Sequence, residues 1–251
     1  MRTSPLEAFR HYLQAQAGVP GKRRELHPLA ITISREAGAG AVTIAGLIAE
    51  RLRAIEKDDE SRPWAVFDAN LAEEVLKDHH LPEKLARFME ESTRPQVDAA
   101  VAELLGLVPS PWTLVQLTTE TILRLASLGH VILVGRGGNV ITARMPQVFH
   151  VRLVAPWAAR VEHLAEQNHV SQAEAARIAK SRDQARRAYV RRYFNAEIDE
   201  PTLYDLTLNT SRFGFALSAD VIVQAALAHH RKFKQTEEAV DQSAPPDTVV
   251  L

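Results

Sequence analysis

The chain has 251 residues, of which 46% are hydrophobic and 24% charged, as expected for a globular protein with one large domain. The formal net charge is −1, so no general basic surface is present and a nucleic-acid-binding function is not expected. There is no cysteine, which excludes disulfides, thiolate zinc sites and a cysteine nucleophile.

The two ends of the chain differ from its middle. Residues 1–28 are predicted to be an extension, with a short helix at Pro5–Ala17 followed by the linker Gly18–Pro28. This extension lacks the apolar core of a secretory signal, and no apolar run approaches the roughly 20 residues needed to span a bilayer. We therefore expect a cytoplasmic protein without membrane association. Residues 232–251 are polar and contain adjacent prolines, so a flexible tail is predicted.

Residues 29–231 alternate between two kinds of pattern and are predicted to form one domain. Short apolar runs bounded by turn or polar residues predict five strands at Leu29–Ile33, Trp64–Phe67, Val131–Val134, Val148–Val154 and Leu206–Leu208. Helical patterns separate them at Thr43–Ile55, Thr113–Leu128, Trp157–Glu166, Gln172–Ala185 and Ala216–Ala228. The alternation predicts an α/β fold, with a five-stranded parallel sheet between helices. The long, mainly helical segment 70–128 is predicted to be an inserted subdomain.

The segment Ser34–Thr43 is the candidate phosphate loop. It follows an apolar strand and precedes an amphipathic helix, which is the context that a phosphate loop needs. Gly38 and Gly40 allow unusual backbone dihedrals and close approach to a ligand, and the helix adds the positive end of its dipole. The alternative is an ordinary tight turn between a strand and a helix.

The loop departs from the strict motif G-x-x-x-x-G-K-[ST]. Arg35 replaces the first glycine and Ala41 replaces the lysine, whereas Thr43 keeps a hydroxyl that could meet Mg²⁺. Phosphoryl transfer needs cations around the transferring group, so another cation must replace the lysine. Arg35 is the nearest candidate, and the arginines at 182–192 are the next.

Further motifs extend the pattern downstream. They are Phe67-Asp68, Val134-Gly135-Arg136-Gly137-Gly138, Asp183-x-x-Arg186 with Tyr189 and Tyr193, and Tyr204-Asp-Leu-Thr-Leu-Asn-Thr-Ser-Arg212. Together with Ile31-Thr-Ile-Ser-Arg-Glu-x-Gly-x-Gly, these ordered blocks resemble the cytidylate-kinase-like proteins, a branch of the P-loop nucleoside monophosphate kinases without the loop lysine. The resemblance covers about residues 29–228. One departure is Ala39-Gly40-Ala41-Val42, where relatives carry a glycine pair and usually an arginine.

The resemblance implies a three-layer P-loop fold, in which the helical insertion binds the acceptor and residues of about 167–200 form a lid. It implies an ATP- and Mg²⁺-dependent kinase for a nucleoside monophosphate, most closely CMP or dCMP. The implied roles fall into three sets: donor binding by Ser34, Gly38, Ala39, Gly40, Ala41, Thr43, Asn209 and Arg212; acceptor binding by Asp68, Arg136 and Gly137; catalysis by Arg35, Arg182 and Arg186.

Each assignment has a structural alternative. Arg136 could be a surface residue in a glycine turn, and Asp68 could cap a helix. The basic segment Lys180–Arg192 could be a solvated helix face, and Asn209 could bond its own turn. For the whole protein, the alternatives are a nucleotide sensor that retains the fold without turnover, which Ala41 favours, and an interaction domain that uses the arginine-rich helix. The acceptor's identity and the oligomeric state stay open, and a homo-oligomer is compatible with the sequence.

Overall fold

The computed structural model describes residues 27–55, 63–68 and 110–243. Five strands form one parallel sheet: β1 (Ala30–Arg35), β2 (Ala65–Phe67), β3 (Val131–Val134), β4 (Val148–Val154) and β5 (Leu206–Asn209). Their order in the sheet is β2-β3-β1-β4-β5, so β1 lies at the centre. The predicted five-stranded parallel sheet is confirmed.

Six helices accompany the strands in the described residues: α1 (Ala41–Ile55), α2 (Pro111–Leu128), α3 (Gly138–Ile141), α4 (Trp157–Asn168), α5 (Gln172–Phe194) and α6 (Thr210–Ser243), with a short 3-10 turn at Pro201–Leu203. Ser110 starts α2 by accepting a hydrogen bond from the Thr113 amide, and Pro111 occupies the first turn, where its missing N–H costs nothing. The predicted helix at Pro5–Ala17 and most of the 70–128 insertion lie outside the described residues.

The sheet has two buried faces, which makes the domain three-layered. Alternate residues of each central strand point to opposite sides, as the pleat requires. Ile31 and Ile132 face a cluster formed with α1 and α6, whereas Val131 and Leu133 face a second cluster formed with α2. A third, smaller cluster joins α4 and α5 to Ala37 in the loop after β1.

Two predicted boundaries are wrong in ways that matter for the site. β1 continues through Arg35, because Ser34 and Arg35 pair with Arg152 and Leu153 of β4. The irregular part of the candidate loop is therefore only 36–40, and α1 begins at Ala41 rather than at Thr43.

The helices α5 and α6 are both longer than their patterns suggest. α5 continues to Phe194 as one helix, and α6 continues to Ser243, beyond Lys232, where the flexible tail was predicted to begin. An ion pair between His27 and Glu237 of 3.3 Å and a ring contact between His27 and Phe233 hold this part of α6 to residues before β1.

One segment of α6 also corrects the expectation about apolar runs. Within the described residues, Thr210–Glu237 is long and apolar enough to span a membrane by length and composition alone. Ala219, Ile222, Val223 and Ala226 of this segment are buried in the core, where α6 packs against α1 and β4. Core packing therefore accounts for part of the apolar composition, since 28% of the apolar window is buried.

Candidate active site

A pocket opens beside the carboxyl ends of β1 and β3, where parallel α/β sheets commonly bind ligands. The pocket is small and open to solvent at its mouth. The lining includes Ser34, Arg35, Gly135, Gly137, Asn139, Arg186 and Tyr189. Four predicted site residues, Ser34, Arg35, Gly137 and Arg186, are thus brought together by three separate segments of the chain.

The loop between β1 and α1 has a tightly determined backbone. Gly38 and Gly40 have φ angles of +84° and +79°, in the left-handed region that favours glycine. The Ala39 amide donates to the Glu36 carbonyl over 3.2 Å and closes a turn. A Cβ on Gly38 would lie 2.3 Å from the carbonyl oxygen of Arg160. The loop therefore needs glycine at position 38 for both its dihedral angle and its contact.

A buried ion pair holds this loop from the side of α4 and α5. Arg160 Nη1 donates to Asp183 Oδ2 over 2.7 Å and to the Ala37 carbonyl over 3.1 Å. Asp183 Oδ1 accepts a hydrogen bond of 2.7 Å from the Ala37 amide. Arg160 Nε also lies 3.3 Å from Glu36 Oε2, and Glu36 accepts from the Ala155 amide over 3.0 Å. The first half of the loop is consequently fixed by side chains from two helices.

A second network holds the end of β1. Arg152 Nη1 donates to Ser34 Oγ over 2.9 Å, and its Nη2 donates to Asp199 over 2.8 Å. The Tyr204 hydroxyl lies 3.2 Å from Ser34 Oγ and donates to the Ile198 carbonyl over 2.7 Å. Burial raises the pKa of Tyr204, so this hydroxyl keeps its proton at neutral pH. Ser34 is therefore a structural junction as well as a pocket residue.

Asp199 connects this network to α5. Arg187 Nε donates to Asp199 over 2.7 Å. Burial acts to raise the pKa of Asp199, but the hydrogen bond from Arg187 and the charge of Arg152 outweigh it, and the pKa is lowered. The carboxylate is thus ionised and pairs with two arginines, so the three groups together carry one positive charge.

Two other arginines supply the positive charge that lines the pocket. Arg35 lies at the end of β1, and the Arg186 side chain, 14% exposed, lies 3.5 Å from Asp183 Oδ1 through its Nη1. Ala41, at the motif's lysine position, is buried in the core. Arg182 is exposed on α5 and is not among the pocket-lining residues, so its catalytic role stays a prediction.

The loop after β3 has an unusual backbone. Gly135, Arg136 and Gly137 have successive φ angles of +88°, +56° and +70°. A non-glycine residue rarely adopts such an angle, and such residues concentrate at functional sites. Arg136 is buried but does not line the pocket, so acceptor binding by Arg136 stays a prediction. Its surface-residue alternative is wrong, because the side chain is only 6% exposed.

The remaining predicted residues lie at the edges of this arrangement. Asp68 directly follows β2 and is half-buried; the helix that it was suggested to cap lies outside the described residues. Thr43 is exposed in the first turn of α1. Asn209 Oδ1 accepts from the Ser211 amide over 3.2 Å, as the turn alternative expects, and Arg212 is exposed. Within the residues described, no cluster of three or more His, Asp or Glu forms a metal site.

Two important arginines were missed at the sequence level. Arg152 interrupts the apolar strand β4, and a charge inside a buried central strand is a usable signal for a functional or structural ion pair. Arg160 sits in an amphipathic helix without any local signal. Asp183 and Tyr204 appeared only as parts of longer motifs.

A family model described as the cytidylate kinase-like family matches residues 30–212. No curated protein matches the sequence. The structure of an uncharacterized protein from Eubacterium ventriosum superposes with a TM-score of 0.57 at 17% identity, covering 79% of this chain and 98% of the other. This similarity is one of fold.

Two kinases of known structure are more distant. A shikimate kinase from Bacteroides thetaiotaomicron has a TM-score of 0.40 and 14% identity, with 82% and 98% of the two chains covered. A gluconokinase from Sinorhizobium meliloti has a TM-score of 0.44 and 16% identity, with 88% and 100% covered. Their similarity is too low for either protein's substrate to bear on this chain.

Proposed function

The chain belongs to the cytidylate kinase-like family, and on that premise we propose that it transfers the γ-phosphate of ATP to a nucleoside monophosphate, with CMP or dCMP as the acceptor. Family membership supports a nucleotide kinase-like function but does not identify the substrate. The choice of acceptor rests on the sequence blocks that resemble cytidylate kinases.

One observation carries this proposal. Arg35 of β1 and Arg186 of α5 line one pocket at the carboxyl edge of the sheet, together with the glycine loop after β3. Phosphoryl transfer is catalysed mainly by positioning and by neutralising charge on phosphate oxygens. Two converging cations can therefore perform the task that the absent lysine performs in other phosphate loops.

Only some of the loop's backbone amides are available to a phosphate. The amides of Ala37 and Ala39 already donate to Asp183 and to the Glu36 carbonyl. We therefore assign the donor's phosphates to the amides of Gly38, Gly40 and Ala41, at the positive end of α1. Mg²⁺, when bound, neutralises charge between the donor's phosphates, and the exposed hydroxyl of Thr43 is the residue assigned to it.

The acceptor is assigned to the other side of the pocket. Gly137 lines the pocket, and Arg136 precedes it in the strained loop after β3. Asp68, at the end of β2, is the third residue assigned to the acceptor. No general base is required in this scheme, because the attacking group is itself an ionised phosphate.

A catalytically inactive nucleotide sensor is the second candidate. Two observations favour it: Ala41 is buried at the lysine position, and Asp183 already occupies the Ala37 amide. Such a protein would bind ATP through the same arginines without transferring phosphate.

The two candidates differ in turnover. The experiment measures ADP release from ATP and Mg²⁺ in a coupled assay with CMP, dCMP, UMP, AMP or GMP, and without an acceptor as the control for simple hydrolysis. Equilibrium binding of ATP is measured in parallel by calorimetry. Release that depends on CMP or dCMP supports the kinase; ATP binding with no release above the acceptor-free control supports the sensor instead.

A further inference from the structure

We propose that Asp183 is a positioning residue that fixes the phosphate loop and Arg186 relative to each other, so that α5 supplies the charge missing from the loop. The inference rests on the proposed function, because it concerns the same pocket. Asp183 itself is not among the pocket-lining residues and acts through its neighbours.

The two carboxylate oxygens of Asp183 face different partners. Oδ2 accepts from Arg160 Nη1 over 2.7 Å. Oδ1 accepts from the Ala37 amide over 2.7 Å and lies 3.5 Å from Arg186 Nη1. The Asp183 side chain is only 9% exposed, so water screens these charges weakly. One carboxylate thus joins the loop backbone to both arginines.

Arg160 completes the grip on the loop. The Ala37 peptide group is held at its amide by Asp183 and at its carbonyl by Arg160 Nη1 over 3.1 Å. The backbone of Arg160 also packs against Gly38, where no side chain fits. The shape of the loop is therefore fixed by residues of α4 and α5.

The spacing on α5 connects this anchor to the pocket. Arg186 lies three residues after Asp183, so both side chains share one face of the helix. Arg186 lines the pocket, whereas Asp183 is buried below it against Ala37. The 3.5 Å contact is an ion pair but is long for a hydrogen bond, so Asp183 aligns Arg186 mainly through its charge.

The balance of charge agrees with this arrangement. Around Ala37, the two carboxylates of Glu36 and Asp183 meet the two guanidinium groups of Arg160 and Arg186. Neutralising Asp183 would leave Arg160 with a single carboxylate partner and Arg186 without this anchor. Removing this negative charge would by itself favour an anion, so a loss of affinity on charge-neutral substitution of Asp183 reports that Arg186 is no longer held in place.

A double-mutant cycle in the full-length chain tests this coupling, with inorganic tripolyphosphate as the probe and affinity measured by calorimetry. Arg186→Ala is expected to weaken binding about tenfold, the usual scale for one charge-assisted hydrogen bond. Asp183→Asn keeps the acceptor for Ala37 and is expected to weaken binding several-fold. In the Arg186→Ala background, Asp183→Asn should cause less than about a twofold further loss.

Arg177→Ala provides the matched control. Arg177 is an exposed arginine on the same helix that pairs with Glu174, and its removal changes the net charge equally. Asp183→Asn should have its full effect in the Arg177→Ala background. Thermal unfolding confirms that each variant is folded; if Asp183→Asn is not, Asp183→Glu keeps the charge but displaces it and should show the same dependence on Arg186.

The outcomes separate this inference from the proposed function. Losses that multiply in the double variant would overturn the positioning role, even if the enzyme assay shows phosphate transfer. Coupled losses in a protein that releases no ADP would support the positioning role and reject the kinase. A wild-type chain that does not bind tripolyphosphate would overturn the positioning role, whereas the ADP-release assay alone decides for or against the kinase.

Discussion

The two glycine loops at the carboxyl edge of the sheet are fixed by different kinds of neighbour. Gly38, after β1, packs against the backbone carbonyl of Arg160, beside a buried ion pair. Gly137, after β3, packs against the ring of Phe194, which belongs to the end of α5. Backbone can move only if a helix moves, whereas a ring can turn. Gly40, also in the first loop, packs against the ring of Phe215. The rigid contact is therefore the one at Gly38, whereas the contact at Gly137 can adjust.

This difference suits two tasks at one edge of the sheet, where Gly137 lines the pocket and Gly38 lies outside its lining. A donor triphosphate is the same for every kinase reaction and benefits from a preformed loop, because preorganised groups need no rearrangement during the reaction. An acceptor varies between enzymes and benefits from a wall that can adjust.

Gly38→Ala should be the most damaging of the glycine substitutions. The new Cβ would lie 2.3 Å from the Arg160 carbonyl oxygen, at a φ angle of +84°. Strain at such an angle adds to a clash with backbone, so the free energy of unfolding should fall by about 3 kcal/mol or more. Chemical denaturation of the variant and the wild type measures this loss.

Gly46→Ala is the matched control for that substitution. Gly46 lies inside α1, and a Cβ there meets no atom within 4 Å. Alanine should raise the free energy of unfolding by about 0.5–1 kcal/mol through helix propensity. Similar losses at both positions would contradict the account of the first loop.

Gly137→Ala should have an intermediate effect. The new Cβ would lie 2.5 Å from Cε2 of Phe194, at a φ angle of +70°. The ring can shift, so we expect a loss of about 1–2 kcal/mol, mainly from the backbone angle. Phe194→Leu should lower the free energy of unfolding of the wild type. It should lower that of the Gly137→Ala variant by less. Losses that simply add would show that the ring is not what constrains this loop.

His150 lies in β4, outside both loops, and makes the stability of the fold depend on pH. Its Nδ1 lies 2.8 Å from Thr32 Oγ1. Burial lowers the pKa of His150 below its ordinary value, against the opposing charge of Asp205. The folded state therefore prefers the neutral ring. Its contribution to stability is complete above pH of about 6.5 and is lost as the pH falls towards the lowered pKa.

Denaturation at several pH values checks this sign. Between pH of about 6.5 and the folded-state pKa, His150 should reduce the free energy of unfolding by at most ~1.4 kcal/mol per pH unit. His150→Gln should make the free energy of unfolding less dependent on pH over that interval and change it little above pH of about 7. An unchanged curve would show that His150 does not cause the acid sensitivity.

Much of the fold could be predicted from the sequence, because buried strands and amphipathic helices leave local patterns. Val131–Val134 and Val148–Val154 were predicted with the observed bounds. The extension of β1 through Arg35 was not, because polar residues there join the ladder only through their partners in β4. The length of α6 was missed for a similar reason, since contacts with His27 hold its distal part.

The site was less accessible, because its supports are distant in the sequence. Arg152 reaches Ser34 across 118 residues, and Arg160 reaches Ala37 across 123. Arg35 was predicted as a replacement cation from its position next to the loop, and Arg186 was preferred among the arginines of α5 for the Asp183-x-x-Arg186 motif; both line the pocket. Arg182 was also predicted, and it is exposed outside the pocket lining.

The central claim is that arginines in this pocket replace the phosphate-loop lysine, and turnover of the Arg186→Ala variant tests it most directly. ADP release with saturating ATP, Mg²⁺ and CMP or dCMP would be compared among the wild type, Arg186→Ala and the surface control Arg177→Ala. We predict a loss on the order of a hundredfold or more for Arg186→Ala, by analogy with other transition-state cations, and no loss for Arg177→Ala. An active wild type whose rate is unchanged by Arg186→Ala would contradict the claim.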